Sequence, residues 1–277
     1  GDTESYVYLA AIHTVVATAD AAPSEVIPLL GMTLLTGRLH DTDLSLEQRA
    51  KLAEAIIFII RRRASVDLAL PNLMELMCTG SNDFAPNDTN AHEIQHKTHE
   101  YFIGESAEER KVDGAINEDY WNDVDLRVRT GGPLFNVEEG DLVRASRINV
   151  VGALVAALPT ARWCTILVDC CIDTLRLEPS RPVRRAGATL ARELSAVLLK
   201  FDDDSTALAM ALAEARYDVL VSVLRDRVDA KDLEHLKRER YYDPATAARC
   251  HEALDNFEHA QELLLAGRLA LEAKRQT

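Results

Sequence analysis

The chain has 277 residues, of which 47% are hydrophobic and 27% charged, a balance that excludes a wholly disordered or collagen-like polypeptide. At this length it can bury a core without disulfide staples. Its 31 Lys and Arg against 45 Asp and Glu leave a formal charge of −14, so the net field opposes nonspecific binding to nucleic acid or anionic lipid and favours basic partners.

Ala and Leu dominate, aromatics are 5%, and no sustained apolar/polar alternation appears, so the chain reads as helical with few or no strands. From Glu4 to Asp20 one helical face carries Tyr8, Ile12, Val15, Val16 and Ala19, and Pro23 marks a new start. A second helix is predicted over Ser24 to Thr36, kinked by Pro28 or regular only beyond it, because proline removes a backbone donor. After the loop Gly37 to Leu44, a third helix carries Leu52, Ile56, Ile59 and Ile60 down to Arg61-Arg62-Arg63, cations suited to a helix C-terminus. A shorter one runs from Asp67 to Cys78 with Leu70, Leu73, Met74 and Met77 as its stripe.

From Thr79 to Asn136 the chain is polar, broken by Gly80, Pro86, Gly104, Gly114 and Gly131-Gly132-Pro133, and reads as one insertion. The helical pattern resumes with Val143, Val150, Val151, Leu154 and Leu158, stops at Pro159, and returns with Trp163, Ile166, Leu167, Cys170 and Thr174 as far as Pro179. Next come Val183, Ala186, Leu190, Leu194, Val197 and Leu198, then Leu208, Leu212, Ala215, Val219 and Val223 as the stripe of one further helix. A charged connector spans Asp226 to Tyr242. Asp243-Pro244, an N-cap acid before a first-turn proline, opens the last helix, with Cys250, Leu254, Phe257 and Leu264, and a tail expected to fray from Glu272.

Cys78, Cys164, Cys170, Cys171 and Cys250 are odd in number and lie mostly in apolar helical patterns, which favours free thiols in a reducing, cytoplasmic setting. No apolar run approaches the roughly 18 to 20 residues that span a bilayer, so no direct membrane insertion is expected of this segment. The start at Gly1-Asp2, without Met or a signal-peptide pattern, reads as a C-terminal piece of a longer protein.

Laying Val143-Arg144 over Val183-Arg184 aligns Val150 with Leu190, Leu154 with Leu194 and Leu158 with Leu198, an offset of 40 residues. Tyr8, Ile12 and Val16 align with Leu52, Ile56 and Ile60 at an offset of 44. A two-helix period of this length suggests HEAT or armadillo repeats, in which stacked antiparallel pairs share a continuous core. The fold expected is therefore all-α: a HEAT/armadillo-like α-solenoid of antiparallel helix pairs with one polar insertion. Its parts are residues 1–78 (repeats, the first helix belonging to a truncated one), 79–136 (insertion), and 137–277 (repeats and C-terminal helix). Arg144 and Arg184, equivalent and early in their helices, are expected to bond a carboxylate or carbonyl of a neighbouring repeat.

Several phrases carry a family resemblance: Ser5-Tyr6-Val7-Tyr8-Leu9-Ala10-Ala11-Ile12-His13, Ile27-Pro28-Leu29-Leu30, Lys51-Leu52-Ala53-Glu54-Ala55, Asp141-Leu142-Val143-Arg144-Ala145-Ser146, Pro182-Val183-Arg184-Arg185-Ala186 and Cys250-His251-Glu252-Ala253-Leu254. Together they resemble the C-terminal region of the fungal RNA polymerase II assembly and nuclear import factor family. Its animal counterpart is the transport and Golgi organisation protein. The stretch Asp83 to Asp125 has no match in that pattern. The resemblance implies a non-catalytic helical scaffold in the cytoplasm and at the nuclear envelope, touching RNA polymerase II subunits, nucleoporins and co-chaperones. The animal name implies instead a trafficking scaffold at the Golgi, with coat proteins as partners.

One motif looks catalytic. His92-Glu93-Ile94-Gln95-His96 matches H-E-x-x-H, in which two histidines one turn apart bind zinc and the glutamate activates water. His99 falls on the same face, and Glu100, Glu118 or Asp119 could complete a site, giving a zinc-dependent metallohydrolase as the alternative function. Its polar frame and the lack of a neighbouring sheet favour a chance match on a surface insertion, so no enzyme activity, catalytic residue, metal or cofactor is expected. Arg61-Arg62-Arg63 reads as a solvated helix end, Asp202-Asp203-Asp204 as a loop and N-cap cluster, and Cys170-Cys171 as core. No phosphate-binding Gly-rich loop or nucleic-acid surface appears.

Overall fold

A computed structural model describes residues 2–40, 42–62, 69–80, 134, 140–176, 178, 180–200, 203–228 and 243–276. Nearly all of them lie in ten α-helices, as the composition predicts, and they fall into two compact units, 1–154 and 155–277.

In the first unit, α1 (Asp2–Ala21) buries Val16 and Ala19 and half-buries Ile12 and Val15. Helix α2 (Pro23–Thr36) starts on a first-turn proline and continues through Pro28, so the helix is not confined to the residues beyond it. Pro28 forfeits the one bond its N–H would have given to the Ser24 carbonyl. The helix ends on Gly37, whose φ of +71° lets its N–H return to the Thr33 carbonyl at 3.0 Å. A small hairpin follows, β1 (Arg38–Leu39) against β2 (Thr42–Asp43), tied across by an Arg38–Asp43 ion pair at 2.8 Å.

Helix α3 (Leu46–Arg62) opens with a reciprocal cap: Gln48 N–H donates to Ser45 Oγ at 3.2 Å, and Ser45 N–H to Gln48 Oε1 at 2.8 Å. Its inner face, Ala53, Ile56, Ile59 and Ile60, meets Ile27 and Leu30 of α2 and Leu70 and Leu73 of α4 (Leu70–Thr79) in an apolar seam too tight for a ligand. Helix α5 (Asp141–Ala157) fully buries Val143, Val150, Val151 and Leu154. Asp20 meets Arg62 at 3.5 Å, so α1 and α3 end together. A Cβ on Gly140 would lie 3.8 Å from Leu46 Cδ1, so α3 and α5 begin together. Of the expected insertion 79–136, only Thr79, Gly80 and the buried Leu134 belong to the described residues.

In the second unit a 3₁₀ turn (Ala161–Trp163) leads into α6 (Cys164–Arg176), which turns back into α7 (Arg181–Leu198). These two approach so closely at Thr174 and Gly187 that a Cβ on Gly187 would stand 1.9 Å from Thr174 Oγ1. The stripe expected to form one helix from Leu208 to Val223 is instead two, α8 (Asp203–Glu214) and α9 (Tyr217–Val228). No helix breaker stands at the junction Ala215-Arg216, and the partners explain the division. Helix α8 packs on the 3₁₀ turn, α6 and α7, whereas α9 packs on α6 and α10 (Pro244–Gln276), with Tyr217 edge-on to Phe257 at 5.6 Å. Helix α10 runs on to Gln276, past Glu272 where fraying was expected.

Hydrogen bonds set the helix directions. Asp243, just before α10, meets Arg181 and Arg185 at the start of α7, while Asn256 Nδ2 donates to Ser195 Oγ at 3.2 Å near the end of α7; α7 and α10 are thus parallel. Arg216, just before α9, pairs with Asp169 of α6, and Arg227 Nε near the end of α9 donates to the Leu175 carbonyl at the end of α6 at 2.6 Å. Arg227 Nη2 also donates to the Arg176 carbonyl, so α6 and α9 are parallel too.

Candidate interaction surface

Among the described residues no group of three or more His, Cys, Asp or Glu could hold a metal ion, and no helix is long and apolar enough to cross a membrane. The zinc-type candidates His92, Glu93, His96, His99, Glu100, Glu118 and Asp119 lie outside the described residues.

Arg49, Arg144 and Arg184 are each the fourth residue of their helix and are all buried. Arg49 Nη2 donates to the Leu34 carbonyl at 2.7 Å and the Leu35 carbonyl at 2.9 Å, the last turn of α2. Arg184 Nη1 donates to the Glu178 carbonyl at 2.6 Å, in the connector just before its own helix. The longer reach belongs to Arg147, 1% exposed, whose Nη2 donates to the Leu35 carbonyl at 2.7 Å from 112 residues away. Unsatisfied carbonyls and the negative end of the helix dipole make a helix C-terminus a natural acceptor for guanidinium groups. Arg49 and Arg147 hold α3 and α5 to the end of α2, and all four arginines are buried.

Asp243 stands at the N-cap position of α10, as expected, its carbonyl accepting from Ala247 N–H at 3.0 Å. Its carboxylate, buried in the fold, accepts from Arg181 Nη2 at 2.8 Å, from Arg185 Nε and Nη2 at 3.1 and 3.0 Å, and from Thr246 Oγ1 at 2.7 Å. Charge-assisted bonds from two guanidiniums outcompete a backbone cap. Burial alone would push its pKa up; the hydrogen bonds from Arg185, Thr246 and Arg181, with the Arg185 charge, outweigh it and hold the carboxyl well below the usual carboxylate range.

A carboxyl depressed in the folded state stabilises the fold above its unfolded pKa of about 3.9 and stops doing so as pH falls toward the folded value. Asp243→Asn should therefore lower the melting temperature at pH 7, with the gap to the wild type narrowing below about pH 4. Thermal melts across pH 2 to 7 check this; a gap that stays constant with pH would mean that the charge of Asp243 plays no part.

The other singled-out residues are spread over the fold. Arg61 and Arg62 are exposed at the end of α3, and Arg63 lies outside the described residues. Asp203 starts α8, Asp204 is exposed, and Asp202 is not among the described residues. Cys170 and Cys171 are both buried, as expected of core residues; burial, then the neighbouring Cys170, Cys250 and Cys164 thiols, push the Cys171 thiol well above its ordinary pKa. Burial pushes Cys164 and Cys250 up to about 12. Such thiols are packing groups and poor nucleophiles.

What the described surface does offer is apolar area in the first unit: Leu29, Leu39, Leu46, Phe58 and Leu142 are 42–51% exposed, against Met210 alone in the second. Periodicity does not mark these residues, since it reports stripes that turn inward. Leu46 and Leu142 stand at helix starts, where the first turn projects past the inner stripe.

The described residues define a mostly helical protein whose exposed large apolar side chains lie chiefly in the first unit. Residues 1–66 match the sequence model of a family described as required for nuclear transport of RNA polymerase II, C-terminus 1. The match identifies that segment with the family and bears out the resemblance carried by Ser5 to His13, Ile27 to Leu30 and Lys51 to Ala55. Comparison with curated proteins and with solved structures gave no match.

Proposed function

We propose that this chain is a HEAT-type, non-catalytic protein-binding scaffold that takes part in bringing RNA polymerase II into the nucleus. The family match over residues 1–66 carries the proposal. Helix directions support the architecture: in α6/α7 and α9/α10, with α8 between them in the chain, first helix parallels first and second parallels second, the relation that stacked two-helix repeats require. The aligned positions Val143/Val183, Val150/Leu190 and Leu154/Leu194 are all fully buried, as equivalent core positions should be, whereas Leu158 lies beyond the end of α5 and breaks the last pair.

In this reading the partners are polymerase subunits, nucleoporins and co-chaperones, met in the cytoplasm and at the nuclear envelope. No catalytic step is assigned, and the net charge of −14 suits partner segments carrying Lys or Arg. Affinity capture from cell extract, with the folded chain as bait, tests it. Recovery of RNA polymerase II subunits is the expected result. Recovery of Golgi coat proteins in their place would replace the import reading with the trafficking one, and recovery of neither would end both.

A further inference from the structure

Helix α7 opens Arg181-Pro182-Val183-Arg184-Arg185, with three cations at the end where the helix dipole is positive and a cation is disfavoured. A single carboxylate faces the two outer ones. Asp243 accepts from Arg181 Nη2 at 2.8 Å and from Arg185 Nε and Nη2 at 3.1 and 3.0 Å, so one negative charge answers two positive ones. Donors are left over, because a guanidinium carries five N–H groups and the Arg181 and Arg185 side chains are 60% and 43% exposed. The third cation, Arg184, is buried and turned onto the Glu178 carbonyl, and the Glu178 carboxylate, buried as well, accepts from Ser180 N–H at 3.2 Å. The N-cap residue completes the cluster. Ser180 is 7% exposed, its Oγ has no hydrogen-bond partner among the described residues, and none of them caps α7 with a side chain.

A serine at an N-cap ordinarily turns its hydroxyl onto the first-turn N–H groups, and a buried hydroxyl without a partner costs free energy that a ligand oxygen would recover. An uncapped helix start, a partnerless hydroxyl and two guanidiniums with donors to spare together suit an anion whose oxygens point several ways. A planar carboxylate fits less well, since Asp243 already takes the place the two arginines offer to one. We infer that the N-terminus of α7 is a binding site for a phosphoryl group carried on a phosphorylated serine or threonine of a partner protein. Its oxygens accept from Ser180 Oγ and from the outward N–H groups of Arg181 and Arg185. The net charge of −14 opposes an extended polyanion, whether nucleic acid or anionic membrane, more than a single phosphoryl group on a peptide. The inference rests on the reading of the chain as a protein-binding scaffold and names the chemistry of what it binds.

A phosphoserine peptide flanked by Gly and Ala and the same peptide unphosphorylated serve as probes, titrated by fluorescence anisotropy against the whole chain. The phosphopeptide should bind at least ten-fold more tightly, and inorganic phosphate should displace it where chloride at the same ionic strength does not. Arg181→Gln should weaken that binding at least ten-fold, and Arg61→Gln in the first unit should leave it unchanged, with circular dichroism confirming that each variant is folded. Ser180→Ala should weaken it at least three-fold without lowering the melting temperature of the free chain, because the hydroxyl bonds nothing there. A Ser180→Ala chain that melts lower yet binds as the wild type makes the hydroxyl purely structural and overturns the site. So do equal binding of the two peptides, equal displacement by chloride, and equal loss with Arg61→Gln. Tighter binding to vesicles containing a phosphoinositide, or to a single-stranded oligonucleotide, overturns the choice of a protein partner. Purified RNA polymerase II as a further ligand separates the two claims. Phosphopeptide binding lost in the variants, with no polymerase binding by the wild type, leaves the phosphoryl site standing and sinks the import role; polymerase binding without a preference for the phosphopeptide does the reverse.

Discussion

Gly187→Ala should destabilise the chain by about 3 kcal/mol, the upper part of the usual range for overpacking a close-packed interior. The new Cβ would fall 1.9 Å from Thr174 Oγ1 and 2.7 Å from Thr174 Cβ. Thr174 cannot swing aside cheaply, because it is fully buried and its hydroxyl donates to the Cys170 carbonyl at 2.7 Å. Helices α6 and α7 must therefore separate, loosening a close-packed interior in which Leu167, Cys171, Leu190 and Leu194 are all fully buried. Adding Thr174→Ala, which removes Oγ1, should restore part of the loss, and a double-mutant cycle from urea melts reads the coupling. The contrast is Gly31→Ala. Its Cβ would meet only the tips of Leu73 and Leu76, at 2.7 and 2.8 Å, which can rotate away, so its cost should be smaller. Equal losses at both glycines would show that the α6–α7 approach is not a tight constraint.

Arg147→Ala should cost about 3 kcal/mol, combining a cavity with a weakened set of donors to a buried carbonyl. The side chain is among the largest that are fully buried, and it bonds the Leu35 carbonyl from α5 while Arg49 bonds the same carbonyl from α3. Arg147→Met keeps most of the volume and removes the guanidinium with its hydrogen bonds, so its loss should be smaller, about 1 to 2 kcal/mol. Exposed Arg61→Ala should change stability by less than about 0.5 kcal/mol. Chemical denaturation of the three variants measures this order; an Arg147→Ala no worse than Arg61→Ala would mean that α5 is not held to α2 through this guanidinium.

Helix identity and most helix limits were legible because both are local. Stripes such as Leu190, Leu194 and Leu198, the Pro23 start and the Asp243-Pro244 start each depend on residues within a turn or two, and those signals are printed in the sequence itself. The buried Val-Arg positions at 143–144 and 183–184, and the family character of the first 66 residues, were equally readable. The Ser45–Gln48 cap was there to be read as S-x-x-Q and was passed over.

Tertiary structure alone decided the rest. Nothing near Ala215-Arg216 breaks a helix; the chain divides there because α8 and α9 answer to different neighbours. Nothing near Asp243 announces that its carboxylate will face arginines some sixty residues earlier instead of its own helix's N–H groups. Arg147 and Arg61 look alike in a sequence, yet one is fully enclosed and the other faces solvent. Periodicity reports which side of a helix turns inward, a property of neighbouring residues. Which helix waits on that side, and which leucine is left at an uncovered end, depend on contacts between distant segments that exist only once the helices have packed.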